Sequence, residues 1–425
     1  MRGLFIAAVS LCAMAQAGAE EAGLTRQVRQ LIRQLDSLRL SERDDAEAAL
    51  LELGPPILDL LPPITDRTPP DVAQRLGRVR QKLQRTAAAA IAEPARVTLH
   101  ARAMPLSQVF ASLQEQTGNR MLDARARFGH KVVDPELAVE FQDTPFWEAL
   151  DSVLDQAGLT VYPYGEQRAI YIVARPEGQA SRRARAQYVG PLRIEPILVR
   201  TERDLRSTTA PLLQITNEIA WEPRVRPVLF EQPMSAVRAQ ASSGEALVLD
   251  APKATPEIPV EGERIAANLI YAFRAPPREV DSIALFEASL RGVLPGKVAT
   301  FRFDAPADTR GASQRIGGAT VTLEQVRRSG EFWEIAVRVR FDDAGPALQS
   351  HRGWIFKNPA FLQAKDGTRT DYDHFETTRQ TENEIGLSYL FDVAGPIDAF
   401  SFVYQTPALL LDVTLPYTLK DIPLP

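Results

Sequence analysis

The residues best suited to chemistry lie in one run, Asp366-Gly367-Thr368-Arg369-Thr370-Asp371-Tyr372-Asp373-His374-Phe375-Glu376. Asp371, Asp373 and Glu376 offer hard oxygen ligands of the kind calcium takes, and His374 adds an imidazole suited to a transition metal. The spacing departs from the EF-hand loop, whose central glycine and terminal glutamate stand elsewhere. The same residues also read as a hairpin. Asp366-Gly367 would turn between Phe361–Lys365 and Arg369–Phe375, placing Asp371, Asp373 and Phe375 on one strand face as an exposed acidic edge. The hairpin is the preferred reading, and no metal role is assigned.

Other reactive side chains are thinly spread. His100 ends a strand, His130 follows Gly129 in a loop, and His351 and His374 stand far apart, none with a metal-motif partner at helical spacing. Ser242-Ser243-Gly244 lacks the glycine spacing of a nucleophile elbow. Gly311 to Gly318 leads into a strand, so no helix amino terminus is there to hold phosphate. Arg182, Arg183 and Arg185 could bind phosphate or an acidic protein surface, but in a Gly- and Ser-bearing linker they read as solvated and open to proteases. Trp221-Glu222-Pro223-Arg224 reads as a plug at a domain seam. No residue is assigned a catalytic or cofactor-binding role.

The elements that must position these residues are organised around Val97–Val173. Leu106, Val109, Phe110 and Leu113 line one face of a helix that opens at Pro105 and ends at Gly118. Phe146, Leu150, Val153 and Leu154 repeat the stripe between Pro145 and Gly158. Strand-like runs occupy Val97–His100, Leu137–Phe141, Leu159–Tyr164 and Ala169–Val173, with Tyr164-Gly165-Glu166 breaking the last two into a hairpin. The order predicts a βαββαββ module with two helices on one face of a small sheet.

This stretch resembles the short N-terminal module shared by bacterial secretins and TonB-dependent transducers. The matching residues are Val97-Thr98-Leu99-His100, Met104-Pro105-Leu106, Leu113 with Gly118, Val139 with Phe141, Thr144-Pro145-Phe146, Glu148-Ala149-Leu150, Leu154, Gly158-Leu159 and Ile170-Tyr171-Ile172-Val173. They cover roughly a fifth of the chain and are mostly core and cap positions, which specify fold better than function. The resemblance implies a non-catalytic docking domain of the cell envelope that contacts other proteins. No glycine-rich secretin pore segment and no long amphipathic barrel follow.

Met1–Ala19 reads as an export signal: Arg2, an apolar core from Leu4 to Met14, and Ala17-Gly18-Ala19 before a cut at Glu20. Cys12 is the single cysteine and leaves with the signal, so no disulfide or thiol chemistry is expected in the mature chain. Loss of Arg2 leaves 48 basic residues, one fewer than the 49 of the full chain, against 54 acidic ones, a net charge of −6. That balance gives no electrostatic reason to expect nucleic acid or an anionic membrane as partner. No later run is apolar and long enough for a membrane-spanning helix.

Residues 20–92 read as helical. One stripe is Leu24, Val28, Leu31, Ile32, Leu35 and Leu38. Ser41 with Asp44 would cap a second helix carrying Ala46, Ala49, Leu50 and Leu53, ended by Gly54-Pro55-Pro56. Thr68-Pro69 would open a third with Val72, Leu76, Val79 and Leu83. Residues 41–63 resemble one degenerate HEAT-type pair, read as a helical hairpin packed on its neighbour.

Beyond a linker at 177–187 the pattern turns to short strands with Pro, Gly and Asp between them. The clearest hairpin joins Thr320–Arg327 to Trp333–Phe341, with Val337, Val339 and Phe341 on one face and Arg338 and Arg340 on the other. Ala246–Asp250, Trp354–Lys357, Ala399–Tyr404 and Leu409–Thr414 also read as strands, while Pro416, Pro423 and Pro425 suggest an extended tail.

The expected fold class is multidomain α+β: an N-terminal helical hairpin, a small βαββαββ two-layer module, and a C-terminal all-β, sandwich-like region. The domains are 1–19, 20–92, 93–176, the linker 177–187, 188–307 and 308–425, the last two being separate or one larger sandwich. The expected function is non-catalytic docking to another envelope protein, without cofactor or integral membrane span. The alternatives are a subunit associated with a secretion or TonB-type machine and a metal-dependent hydrolase using the C-terminal β region.

Overall fold

The computed structural model describes residues 23–64, 67–183, 185–206, 211–258, 260, 262–342, 345–348 and 353–425. Met1–Ala19 with Cys12, and His351, lie outside the described residues. The architecture is mixed α+β, and antiparallel strands fill most of the carboxy-terminal half. Contacts divide the chain into two compact units: residues 1–88 with 296–411, and residues 89–295 with 412–425. Neither unit is continuous in sequence.

The first unit begins with helices α1 (23–34), α2 (Leu40–Glu52) and α3 (Pro70–Ala92). Val28, Leu35, Ala46, Leu50, Val72, Leu76, Val79 and Leu83 are buried, as the 3.6-residue period requires. Leu38, counted in the first stripe, instead stands free in solvent at 102 % relative exposure, because α1 has already ended. The expected Ser41 cap is also corrected. α2 starts at Leu40, before Ser41, and it is Ser37 Oγ that accepts a bond from Arg39 N at 3.2 Å. Gly54, at φ 73°, ends the helical pair where only glycine turns without strain.

The strands of this unit share one hydrophobic core. Five of them make the antiparallel sheet of Ser313–Ile316, Ala319–Ser329, Phe332–Phe341, Glu384–Phe391 and His374–Gln380. Its inward Val321, Leu323, Val337, Val339 and Leu387 pack with Phe301, Phe303, Leu362, Phe402 and Tyr404 from the other strands. The expected hairpin is present, with Ser329 paired to Phe332 and Arg338 and Arg340 turned away from the core.

Two strand assignments here need correction. Trp354–Lys357 is a short 3-10 turn, anchored by buried Ile355 and by a 2.6 Å bond from Trp354 Nε1 to Ala347 O. The two runs after Ala399 are one strand, Phe400–Pro423, that continues through Pro416. Leu411, Val413, Leu415, Tyr417 and Leu419 are buried in strict alternation while Pro416 points outward, so side-chain burial outweighs the missing donor.

The second unit holds the module: β1 (Arg96–Pro105), α4 (Leu106–Thr117), β2 (Met121–Asp123), β3 (Glu136–Pro145), α5 (Phe146–Ala157), β4 (Leu159–Tyr162) and β5 (Ile170–Ala174). The order is the expected one. Pro105 and Pro145 keep extended backbone at the helix caps, and Gly118 and Gly158 close the helices in the left-handed region at φ 68° and 65°. The single sheet is corrected to two: β1 pairs only with β3, while β5 lies between β2 and β4. α4 packs on β1, and α5 on β3 and β4.

Leu113 and Leu150 are fully buried on the helical faces the periodicity assigned them. Truncating either to alanine is expected to cost roughly 2–5 kcal/mol, from lost transfer energy plus the cavity left behind. Urea denaturation of the whole protein measures this, and a loss below about 0.5 kcal/mol for both would contradict the packing.

After the linker come β6 (Gln187–Val189), β7 (Leu192–Glu202) and β8 (Leu212–Trp221), which with Ala266–Arg274 make a four-stranded antiparallel sheet. Ala246–Asp250, expected as a strand, contributes only isolated bridges from Ala246 to Gln240 and from Leu249 to Phe273.

Candidate functional site

The acidic run Asp366–Glu376 does not converge. Asp366-Gly367 does turn between Ala360–Ala364 and Arg369–Asp371, but the chain then crosses to a different sheet at His374. Asp371 accepts a 2.5 Å bond from Arg369 Nε, and Asp373 Oδ2 accepts Asp392 N at 3.1 Å. Glu376 is exposed. The expected continuous strand Arg369–Phe375 is therefore two strands of two sheets, because Tyr372 and Phe375 turn toward Tyr389. Among the described residues no three His, Cys, Asp or Glu side chains come close enough to hold a metal.

Of the remaining reactive residues, His130 Nδ1 lies 3.3 Å from Ala174 N, His374 is exposed on an edge strand, and Gly311 and Gly317-Gly318 form turns as expected. Ser242 Oγ donates to Asp281 Oδ1 at 2.8 Å, a contact on the protein surface.

The dense polar chemistry lies where the module meets β7 and β8 within its own unit. Glu222, fully buried, accepts Ala95 N at 3.0 Å, Asn119 Nδ2 at 2.9 Å and Arg224 Nε at 2.5 Å. Arg224 returns to the module, donating its N–H to Asn119 Oδ1 at 3.1 Å and its guanidinium to Glu93 O at 2.6 Å. The Trp-Glu-Pro-Arg run is thus a seam, as the sequence suggested, but the glutamate rather than the tryptophan ties the two sides together.

A second fastening is built on charge. Asp151 of α5 meets Arg193 Nη1 of β7 at 3.0 Å, and Arg193 Nη2 meets Glu218 of β8 at 3.1 Å. Both Asp151 and Arg193 side chains are only 1 % exposed. The guanidinium also sits 4.5 Å from the ring centre of Trp147, whose Nε1 donates to Pro191 O at 3.1 Å. The Tyr188 hydroxyl donates to Asp151 at 3.0 Å, and burial followed by the neighbouring carboxylate pushes its pKa up, so it stays a donor.

Arg182 corrects the solvated-linker reading. Its guanidinium is buried 3.4 Å from Glu218 and 3.8 Å from Glu195, while Arg183 and Arg185 remain exposed. Burial and then the Arg193 charge pull Arg182 below the usual arginine range. The cluster could have been suspected from α5. Phe146, Trp147, Ala149, Leu150, Asp151, Val153 and Leu154 are buried on nearly every side, and an aspartate in such a helix must find a partner.

Glu195 titrates above the ordinary 4.5, because burial disfavours its charge more than Arg182 and Arg193 restore it. A raised folded-state pKa contributes stability that is full below the unfolded value and is lost as pH rises through the folded value. Glu195→Gln is therefore expected to gain on the wild type as pH goes from about 4 to about 7. Denaturation midpoints across that range check it, and a difference that is flat with pH contradicts it.

The side of the module carrying the β1–β3 ribbon is open. His100, Arg102, Ala138 and Glu140 are exposed, with His100 Nε2 3.2 Å from Gln142 Oε1. A shallow depression of about 800 Å³ is lined by the paired segments His100–Arg102 and Ala138–Glu140 of the ribbon. The ribbon has only two strands, so among the described residues each has one edge without a strand partner. No family model, curated protein or solved structure matches this chain.

Proposed function

We propose that this is a non-catalytic, exported envelope protein whose residues 93–176 dock another envelope protein by strand addition at the β1–β3 ribbon. The observation that carries the reading is the contrast between the module's two sides. Trp147, Asp151 and Asn119 fasten one to Pro191, Arg193 and Glu222, while the ribbon side has no further strand partner among the described residues and keeps an exposed polar face. A rigid mount lowers the ordering cost of binding, and unpaired backbone groups accept a partner strand with little demand on its sequence. The resemblance to the secretin and TonB short module supports the same role. The strands beyond the module read as sandwich-like layers that act as the scaffold.

The test is in-cell photocrosslinking from an unnatural residue at Ala138 or Arg102 of the full chain, with a control position at exposed Glu376. One partner captured from the ribbon positions and absent from the control is the expected result. Equal capture from Glu376, or none from the ribbon, would refute the proposal. The isolated fragment 92–176 is a poor test, since cutting it away removes the partners of Asp151, Asn119 and Trp147.

A further inference from the structure

Within the first unit, a cleft of about 410 Å³ opens between the helical segment and the strands. Three guanidinium groups, Arg80, Arg315 and Arg340, line it, together with the apolar side chains of Leu58, Phe341 and Leu409. Asp342 is the one acid among its described lining residues. The whole chain carries a net charge of −5, so this concentration of positive charge is local.

Arg80 and Arg315 are held in place by backbone carbonyls. Arg80 donates to Pro62 O at 2.7 Å, and Arg315 Nη1 donates to Leu61 O at 2.9 Å. Arg315 Nη2 bonds the Asp342 carboxylate, which leaves its buried Nε without an acceptor among the described residues. Arg340 has no hydrogen-bond or ion-pair partner among the described residues. The acid across the strand pair from it, Glu384, is engaged by Arg379 at 3.0 Å and Arg338 at 3.6 Å. Buried donors without acceptors are uncommon, because leaving one unpaired carries its full desolvation cost.

The geometry points to a binding site for a small organic oxyanion, a phosphate or carboxylate head on a short apolar body. Planar guanidinium forks match the paired oxygens of either head, and the apolar wall of Leu58, Phe341 and Leu409 would hold the body. Arg340, exposed on its strand, supplies the unengaged fork, while Arg315 adds positive charge to the wall. The site is independent of the docking ribbon.

Calorimetry on the full chain with three probes tests it: inorganic phosphate, butyl phosphate and pentanoate. One of the two organic anions should bind more tightly than inorganic phosphate, and the tighter one identifies the head group. Arg340→Gln removes a group that no described residue needs, so folding is expected to survive, and affinity should fall about tenfold or more. Raising the salt concentration should weaken binding as well. The inference is overturned if neither organic anion binds, if inorganic phosphate binds as tightly as both, or if Arg340→Gln leaves the affinity unchanged.

Discussion

Replacing Arg193 with leucine is expected to lower stability by roughly 3–5 kcal/mol, although the residue lies away from the apolar core. The reason is the state of the groups left behind. Asp151 is 1 % exposed and Glu218 is nearly as buried, and both face Arg193. Without the guanidinium, two carboxylates share a low-dielectric pocket with Arg182, the Tyr188 hydroxyl and a third acid, Glu195. The second variant to make is Arg193→Leu with Asp151→Leu. Replacing both partners by apolar groups should recover part of the loss, since paired burial of charge gives little net stability. Urea midpoints for the two variants decide the matter. A single-variant loss under about 1 kcal/mol would mean that water reaches the network.

The second large effect is expected at Glu222. Its carboxylate gathers Ala95 N, Asn119 Nδ2 and Arg224 Nε in a site without solvent access. Glu222→Ala leaves those donors without an acceptor and opens a cavity, so a loss of roughly 3–5 kcal/mol is expected. Glu222→Gln keeps an acceptor oxygen but removes the charge, and should cost about half as much. A double-mutant cycle with Asn119→Ala should show coupling of about 0.5–3 kcal/mol, because the two residues are in contact. Additive losses would show that Glu222 acts on the β region alone. Both predictions concern the mounting of the module, so the same variants should weaken partner capture at the ribbon through misplacement, without altering any ribbon residue.

Much of the local structure was legible from residue order. Pro105 and Pro145 before apolar stripes, with Gly118 and Gly158 after them, mark both module helices, because proline fits a helix start and glycine tolerates the left-handed exit. The alternation at Val337, Val339 and Phe341 gives the hairpin and its buried face in the same way. Such signals are short-range: each needs only the period of one element and the backbone freedom of one residue.

The failures have a common physical cause as well. Pro416 argued against a strand, yet burial of alternate residues on both sides of it holds the strand straight through. Asp371, Asp373 and Glu376 are close in sequence but are separated by a change of sheet at His374. Arg182 looked solvated because a linker is usually exposed, whereas its guanidinium is drawn to Glu218 and Glu195. In each case a contact with residues far along the chain outweighed the local preference.

The sequence alone therefore determined the βαββαββ order of the module, its two helical faces and the strand-rich character of the carboxy-terminal half, since periodicity and turn chemistry act over a few residues. Only the tertiary structure decided that Asp151 meets Arg193 and Glu218, that Glu222 binds Asn119, and that Arg80, Arg315 and Arg340 share one cleft. Those pairings join residues tens to hundreds of positions apart. Their energy comes from removing charge and polar groups from water together, a quantity that exists only once the chain has folded.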